Sequence, residues 1–298
     1  MYAECKHTDQ GSVAEKEQLH PETVKGIFQR WARRAEKHRP NWLVRCLGVD
    51  EISLRKGHQH LAMVLSDLER HCVIAVLPER SQEAFEKWLK GLTQPERQAI
   101  RVVTMDMWGP YRGVVQQQLP QAQIVADRFH VTRQLNDALA KIRRAQQTQA
   151  TQINSAVLKG MRWILVRNRA ELKAEEEAKL QAALDAFPML RKAYLLKEQF
   201  HTIAEKMHDR PQAERFLRAW IWEAQASGIP ELFKFTKTLL HWWDEFLNYF
   251  EEGITSGMVE GLNNAIRAII RRAFGYQVFE NFRLQVIAEL GGVVSPPH

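Results

Sequence analysis

Cysteine is scarce: three residues in 298, at Cys5, Cys46 and Cys72. They are scattered without Cys-x-x-Cys spacing, which argues against a zinc ribbon or a disulfide framework and suits a reducing cytosol. No apolar run approaches the roughly 20 residues needed to span a bilayer. The start, Met1-Tyr-Ala-Glu-Cys-Lys-His7, holds no apolar signal region. Membrane insertion and secretion are therefore not expected, and a cytoplasmic protein is. There is no internal repeat and no low-complexity segment, so a repeat architecture is not expected either. Acidic charge is thin in one place: between Arg128 and Lys173 there are two acidic residues against ten basic ones. With a net charge of +7 and a second cluster at Arg267, Arg271 and Arg272, this suits a polyanionic partner, nucleic acid first. A basic, solvated helix face without a partner is the competing reading.

What is present reads as follows. Residues 1–11 are expected to be disordered, then two helices span Ser12–His20 and Pro21–His38. In the second, Val24, Ile27, Phe28, Trp31 and Ala35 recur at helical spacing, with Arg30, Arg33, Arg34 and Lys37 mostly off that stripe. Three apolar runs follow, Leu43–Ile52, Leu61–Asp67 and Cys72–Leu77, separated by short polar turns, which predicts an antiparallel meander. Ser81 caps a helix through Leu92. A buried strand, Ile100–Met105, precedes a helix from Tyr111 to about Leu119. A short strand, Gln123–Ala126, comes next, and Asp127 opens a basic helix. The order β-β-β-α-β-α-β-α predicts an α/β chain with a mixed sheet flanked by helices, which is the element order of the ribonuclease-H-like fold. From residue 149 to 252 the strand signal vanishes. Four or five helices are expected there, broken near Phe187-Pro188, Asp209–Pro211 and Ser227–Pro230. Their tryptophans (163, 220, 222, 242 and 243) are expected in the core. Two last helices span Met258–Phe274 and Phe279–Leu290. The expected organisation is a helical N-terminal segment (1–40), a first core part (41–148), a large helical insertion (149–252) and final core helices (253–298).

Three carboxylates stand out. The Ile100–Met105 strand delivers Asp106 to its carboxyl end, where α/β sheets place their chemistry, with helix capping as the competing role. Asp50 ends the apolar run Leu47-Gly-Val-Asp50, where an unpaired carboxylate would cost several kcal/mol. Glu51, its neighbour, must face the other side of the strand. On the Met258 helix, at about 100° per residue, Glu260, Asn264, Arg267 and Arg271 fall within about 60° of one another. Met258, Leu262, Ala265, Ile269 and Ala273 lie opposite. If Gly257 is the N-cap, Glu260 is also explained as a capping-box glutamate. The first strand and the Asp106 strand are typically neighbours in this order, and two close carboxylates repel. A divalent cation removes that conflict, and hard oxygen ligands select Mg²⁺ or Mn²⁺.

Gly48-Val-Asp-Glu51, Asp106-Met-Trp-Gly-Pro-Tyr111, Ala126-Asp-Arg-Phe-His-Val131, Ser256-Gly-Met-Val-Glu-Gly-Leu-Asn-Asn264 and Ala273-Phe-Gly-Tyr276 stand in this order. Together they resemble bacterial insertion-sequence transposases of the DDE type, the ISL-three family, over roughly residues 41–290. The resemblance implies a ribonuclease-H-like core with a helical insertion before the glutamate, and a catalytic, metal-holding triad of Asp50, Asp106 and Glu260. It implies two ions, Mg²⁺ or Mn²⁺, no small-molecule cofactor, and DNA as partner, both transposon ends and target. It further implies hydrolysis at the ends, strand transfer of the freed 3′-hydroxyl, and a homodimer or higher multimer working at the nucleoid. No covalent protein–DNA intermediate is needed, so Tyr111 and Tyr276 are packing groups or DNA contacts. Expected DNA contacts are Arg55, Lys56, Arg128, Asn264, Arg267 and Arg271. Trp108 could stack on a base or pack in the core. Asp127 could line the site or cap its own helix, and His130 is read as packed or as site-lining. Family members usually carry a cysteine-bearing zinc module and a helix-turn-helix before the core. Here about 40 residues and Cys5 alone precede the sheet, so either a truncated copy or one piece of a longer protein is expected. The alternative function is a non-catalytic DNA-binding remnant that inhibits an intact transposase by mixed assembly. A structure-selective nuclease on the same fold is a third reading.

Overall fold

The computed structural model describes residues 1–54, 60–150, 156–252 and 257–292. Its contacts divide into two units, residues 1–124 with 255–298, and residues 125–254.

The first unit is built on a sheet. The meander is present: β1 (Cys46–Ser53), β2 (Leu61–Asp67) and β3 (Cys72–Leu77) pair antiparallel, with an irregularity at Leu65/Ser66. Asp67 ends β2. Its buried carboxylate accepts from the Glu69 and Arg70 amides at 3.0 and 3.1 Å and pairs with the Arg70 guanidinium, which folds the turn into β3. After α4 (Gln82–Gly91) and α5 (Gln94–Ala99), β4 (Val102–Met105) inserts parallel to β1. Helix α6 (Gly109–Gln118) and β5 (Gln123–Ala126) follow, giving the sheet order β3-β2-β1-β4-β5. Helix α5 went unforeseen, because it buries no residue and has only the Thr93/Glu96 capping box to announce it.

Both faces of the sheet are covered, by opposite sets of alternating residues. Leu47, Val49, Met63, Leu65, Val103 and Met105 pack against Phe85 and Leu89 of α4 and Tyr111 and Val114 of α6. On the other face, Ile52, Ala62, Val64, Val73 and Val76 meet two late helices, α14 (Gly257–Arg272) and α15 (Phe279–Leu290). Helix α14 contributes Leu262, Ile266 and Ile269 to this layer. Each such side chain stabilises the fold by about 1.5–3 kcal/mol on full burial, so α14 is fixed to the sheet chiefly by apolar packing.

Residues 1–11 are not disordered, contrary to expectation. They carry α1 (Tyr2–Cys5) and the start of α2 (Gln10–Lys16), which Asp9 caps by accepting from the Ser12 amide at 2.9 Å. Cys5, Val13 and Ala14 join Val24, Phe28 and Ala32 of α3 (Pro21–Lys37) against Leu284 and Ala288 of α15. Gln285 Nε2 also donates to the Cys5 carbonyl at 2.7 Å, 280 residues away in sequence. Too few apolar residues precede α3 to show a period, and their partner is at the far end of the chain.

The second unit is helical. Helix α7 (Arg128–Gln149) leads to α8 (Arg162–Val166), a 3-10 turn (Arg169–Glu171), α9 (Ala174–Ala186), α10 (Pro188–Lys206) and α11 (Arg210–Ala226). Helices α12 (Pro230–His241) and α13 (Trp243–Glu252) complete it. The three anticipated breaks are in place. The extra helices come from a short α8 and a division at Trp242. Trp220 is buried, donates its indole N–H to the Leu196 carbonyl at 2.7 Å, and packs on Phe200 and Phe235. The expectation of buried tryptophans fails at Trp163 and Trp222, which are 66% and 73% exposed. At about 100° per residue Trp222 stands about 200° from Trp220 and cannot share its inner side.

Candidate active site

The parallel register of β1 and β4 runs from Cys46↔Val102 to Val49↔Met105. Asp50 continues β1 one residue past Val49, and Asp106 directly follows Met105, the last residue of β4. Neighbouring strands lie about 4.7–4.9 Å apart. Val49 and Met105 point into the α4–α6 layer. By alternation Asp50 points to the opposite face, the face of α14, and Asp106 leaves β4 beside it. Gly48, one step of alternation earlier, is needed for close approach. A Cβ there would sit 2.5 Å from Ser66 Oγ and 2.8 Å from Leu68 Cδ2.

Asp50 is half-buried and well held. Its Oδ1 accepts from the Glu51 amide at 2.6 Å, and its Oδ2 accepts from Asn263 Nδ2 of α14. Glu51 faces the other side, as alternation requires, and pairs with Arg80 at 2.6 Å. The Arg80 guanidinium lies 4.6 Å from the centre of the Trp108 ring, which meets Tyr111 edge-on at 4.3 Å. Trp108 is thereby packed against the core. Burial, with Glu51 nearby, drives the Tyr111 hydroxyl pKa far up, and burial does the same for Tyr276. Both are packing phenols and poor nucleophiles. Asp106 Oδ1 accepts from the Met107 amide at 2.6 Å. It does not cap α6, whose N-cap is Trp108 without a side-chain bond.

Glu260 is exposed in the first turn of α14. The helix begins at Gly257, so Glu260 is its fourth residue, one past the N3 place of a capping box. Asn264, Arg267 and Arg271 are exposed along with it, and Arg267 donates to Asn264 Oδ1 at 3.0 Å. The inner side is Val259, Leu262, Ile266 and Ile269. It is turned from the expected one: Ala265 is only half-buried, and Val259 and Ile266 are inside. Asn263 lies on that inner side, 5% exposed. It was not singled out from the sequence. A polar residue flanked by Leu262 and Ile266 was the available signal, since a buried amide needs a partner. Its bond to Asp50 ties the turn beside Glu260 to β1.

Within the second unit, Asp127 caps α7 by accepting from the Phe129 amide at 2.8 Å, and His130 Nε2 lies 4.0 Å from its Oδ2. Arg128 is half-buried, donates to the Ala204 carbonyl at 3.4 Å and lies over Tyr249 at 5.5 Å. Arg55 and Lys56 lie outside the described residues.

The strand order, the helical layers on both faces, and Asp50 on β1 with Asp106 directly after the parallel strand β4 are consistent with an α/β protein of the ribonuclease-H-like class. Residues 47–286 match the sequence model of a family described as Transposase, the ISL3 type of DDE transposases, and the chain belongs to that family. It is 31% identical over 264 residues to the transposase for insertion sequence element IS1001 of Bordetella parapertussis, covering 87% of this chain and 64% of that one. It is 28% identical over 258 residues to the transposase for IS1557 of Mycobacterium tuberculosis, covering 78% of this chain and 57% of that one. The chain thus spans under two thirds of the length of these relatives. Among the described residues, no helix is long and apolar enough to cross a membrane.

Proposed function

We propose that this chain carries the catalytic core of an insertion-sequence DNA transposase, which hydrolyses a phosphodiester at each transposon end and transfers the freed 3′-hydroxyl into target DNA. Family membership implies a DNA substrate and divalent metal use. The proposed ligands are Asp50, Asp106 and Glu260. The observation that carries this reading is that Asp50 and Asp106 each directly follow the last parallel β1–β4 pair, Val49↔Met105, with α14 bonded to Asp50 through Asn263.

Carboxylate oxygens suit hard cations, and Mg²⁺ or Mn²⁺, two per chain, are the ions proposed. The ligand atoms of Asp50, Asp106 and Glu260 do not all lie within 4.8 Å of one another. Two carboxylates on adjacent strands repel unless a cation or a proton lies between them. When bound, such ions activate a water or a 3′-hydroxyl and stabilise the departing oxygen. The chain's own side chains do the rest. Asn263 holds one Asp50 oxygen and orients the carboxylate. Asn264, Arg267 and Arg271, exposed on the line of Glu260, bind phosphates and set the strand against the acids. Arg55 and Lys56 add contacts to the DNA backbone. Arg128 adds less, because its guanidinium already serves Ala204 and Tyr249. The reaction needs paired ends, so the working form is a dimer or higher multimer on DNA at the nucleoid.

The test is incubation with supercoiled DNA carrying the element ends and Mg²⁺ or Mn²⁺. Metal-dependent nicking at the ends, followed by joined products, supports the reading. Asp106→Asn should abolish both while leaving DNA binding intact or slightly tighter, since negative charge near phosphates is removed. Salt-sensitive binding without cutting by the wild type identifies the non-catalytic remnant, and cutting without joining identifies a nuclease.

A further inference from the structure

The turn that closes α14 has two features that cost stability and have no return within its own unit. Phe274 is 99% exposed, the most exposed large apolar side chain among the described residues. Its backbone is also left-handed, with φ of 53°. The bonds there are those of a Schellman cap: Gly275 N–H donates to the Ile270 carbonyl at 2.9 Å, and Phe274 N–H to the Arg271 carbonyl at 3.0 Å. The left-handed residue of such a cap is usually glycine, because a side chain is strained there. In this chain the phenylalanine takes that place and glycine comes one residue later. A strained backbone holding an exposed ring is the kind of outlier from which a functional hypothesis can be drawn.

We propose that Phe274 stacks on an unstacked nucleobase of the DNA, with Arg271 and Arg267 on flanking phosphates. The inference rests on the reading of DNA as the substrate. Nucleic acid suits the surroundings better than an apolar partner. Arg267 and Arg271 are exposed on the same helix face that leads to the ring. The ring borders two cavities. One is an open groove of about 880 Å³ that also includes Leu54, Arg271 and Tyr276, and the other, of about 350 Å³, includes Lys25 and Arg272. The larger one is in the size range that accepts small organic ligands, ample for a base. An aromatic face bordered by cations is the usual platform for an unpaired base, tolerant of sequence because every base has a π-face. From Glu260 to Phe274 the helix rises about 20 Å, or about six base steps, so the contact falls away from the cleaved bond.

The test uses a fluorescein-labelled oligothymidine strand and a blunt duplex of arbitrary sequence, titrated by anisotropy with the intact chain. Phe274→Ala should weaken oligothymidine binding about 5- to 100-fold, the range found when a stacking aromatic is truncated, and affect the blunt duplex far less. Phe274→Trp should retain binding. Phe274→Gly should lose binding yet melt at the same or a higher temperature, since glycine relaxes the left-handed position, which separates lost contact from lost folding. Irradiation with 5-iodouracil in the strand should cross-link at residue 274. Wild-type binding that is unchanged in Phe274→Ala overturns this inference alone. A wild type that binds neither probe overturns the DNA reading as well. If Phe274→Ala turns a multimer into a monomer at constant DNA affinity, the ring covers a second copy of the chain and the stacking proposal falls.

Discussion

Removing the Asn263 side chain beyond its Cβ, by Asn263→Ala, probes the link between α14 and β1. The amide is buried and donates to the Asp50 carboxylate. A hydrogen bond to a charged group contributes about 1.5–3 kcal/mol. Asp50 is half-buried, so water replaces part of the loss, and about 1–2 kcal/mol is the reasoned cost. At about 2–4 °C per kcal/mol, the melting temperature should fall by about 2–8 °C. The coupling is isolated by a cycle of Asn263→Ala, Asp50→Ala and the double variant in urea unfolding, where about 1–2 kcal/mol of interaction energy is expected. The same variant should weaken Mn²⁺ affinity about 10- to 100-fold, as loss of a group that orients a ligating carboxylate does. Additivity within about 0.3 kcal/mol, together with unchanged Mn²⁺ affinity, would refute the view that Asn263 positions Asp50.

Other perturbations follow from the same geometry. Arg267→Ala and Arg271→Ala should each lower the slope of log affinity against log salt by roughly one, if each neutralises a phosphate. An unchanged slope in filter-binding titrations returns that residue to an ordinary solvated face. In the second unit, burial above all, with the Lys197 charge adding, lowers the pKa of His201 from 6.5 to about 4. Its neutral form is thus the folded one. Stability from this ring is complete above pH 6.5 and is lost as pH falls toward 4, by about 1–3 kcal/mol in all. His201→Gln should flatten that part of the urea-midpoint profile between pH 7 and pH 4, and a slope that persists unaltered assigns it to other groups. Gly48→Ala should destabilise by about 1–3 kcal/mol through overpacking against Ser66 and Leu68, which thermal unfolding will register as a lower midpoint.

Local pattern carried the sheet. The ends of β2, β3 and β5 and of α15 were readable because alternation, turn residues and helical spacing agree there. The side that Asp50 faces on β1 was readable for the same reason, since a period of two fixes it. Long-range pairing was not readable. The N-terminal helices have too little apolar surface to announce themselves, and their partner α15 lies across the whole chain. The helical period also hides its phase. Trp220 and Trp222 look equivalent in sequence, yet one is core and the other solvent-facing. Asn264 shares the exposed line of Glu260 and is legible from helical spacing, whereas the inner amide of Asn263 is explained only by a carboxylate on a distant strand. The exposure and left-handed backbone of Phe274 belong to the three-dimensional turn, and its residue type alone does not reveal them.

Manganese binding to the intact chain, counted by electron paramagnetic resonance in the presence of DNA, bears most directly on the claim that the acids at Asp50, Asp106 and Glu260 hold paired cations. The account predicts two ions per chain, with a marked loss of binding in Asp50→Asn, Asp106→Asn and Glu260→Gln. Wild-type stoichiometry and affinity in all of these variants would contradict it.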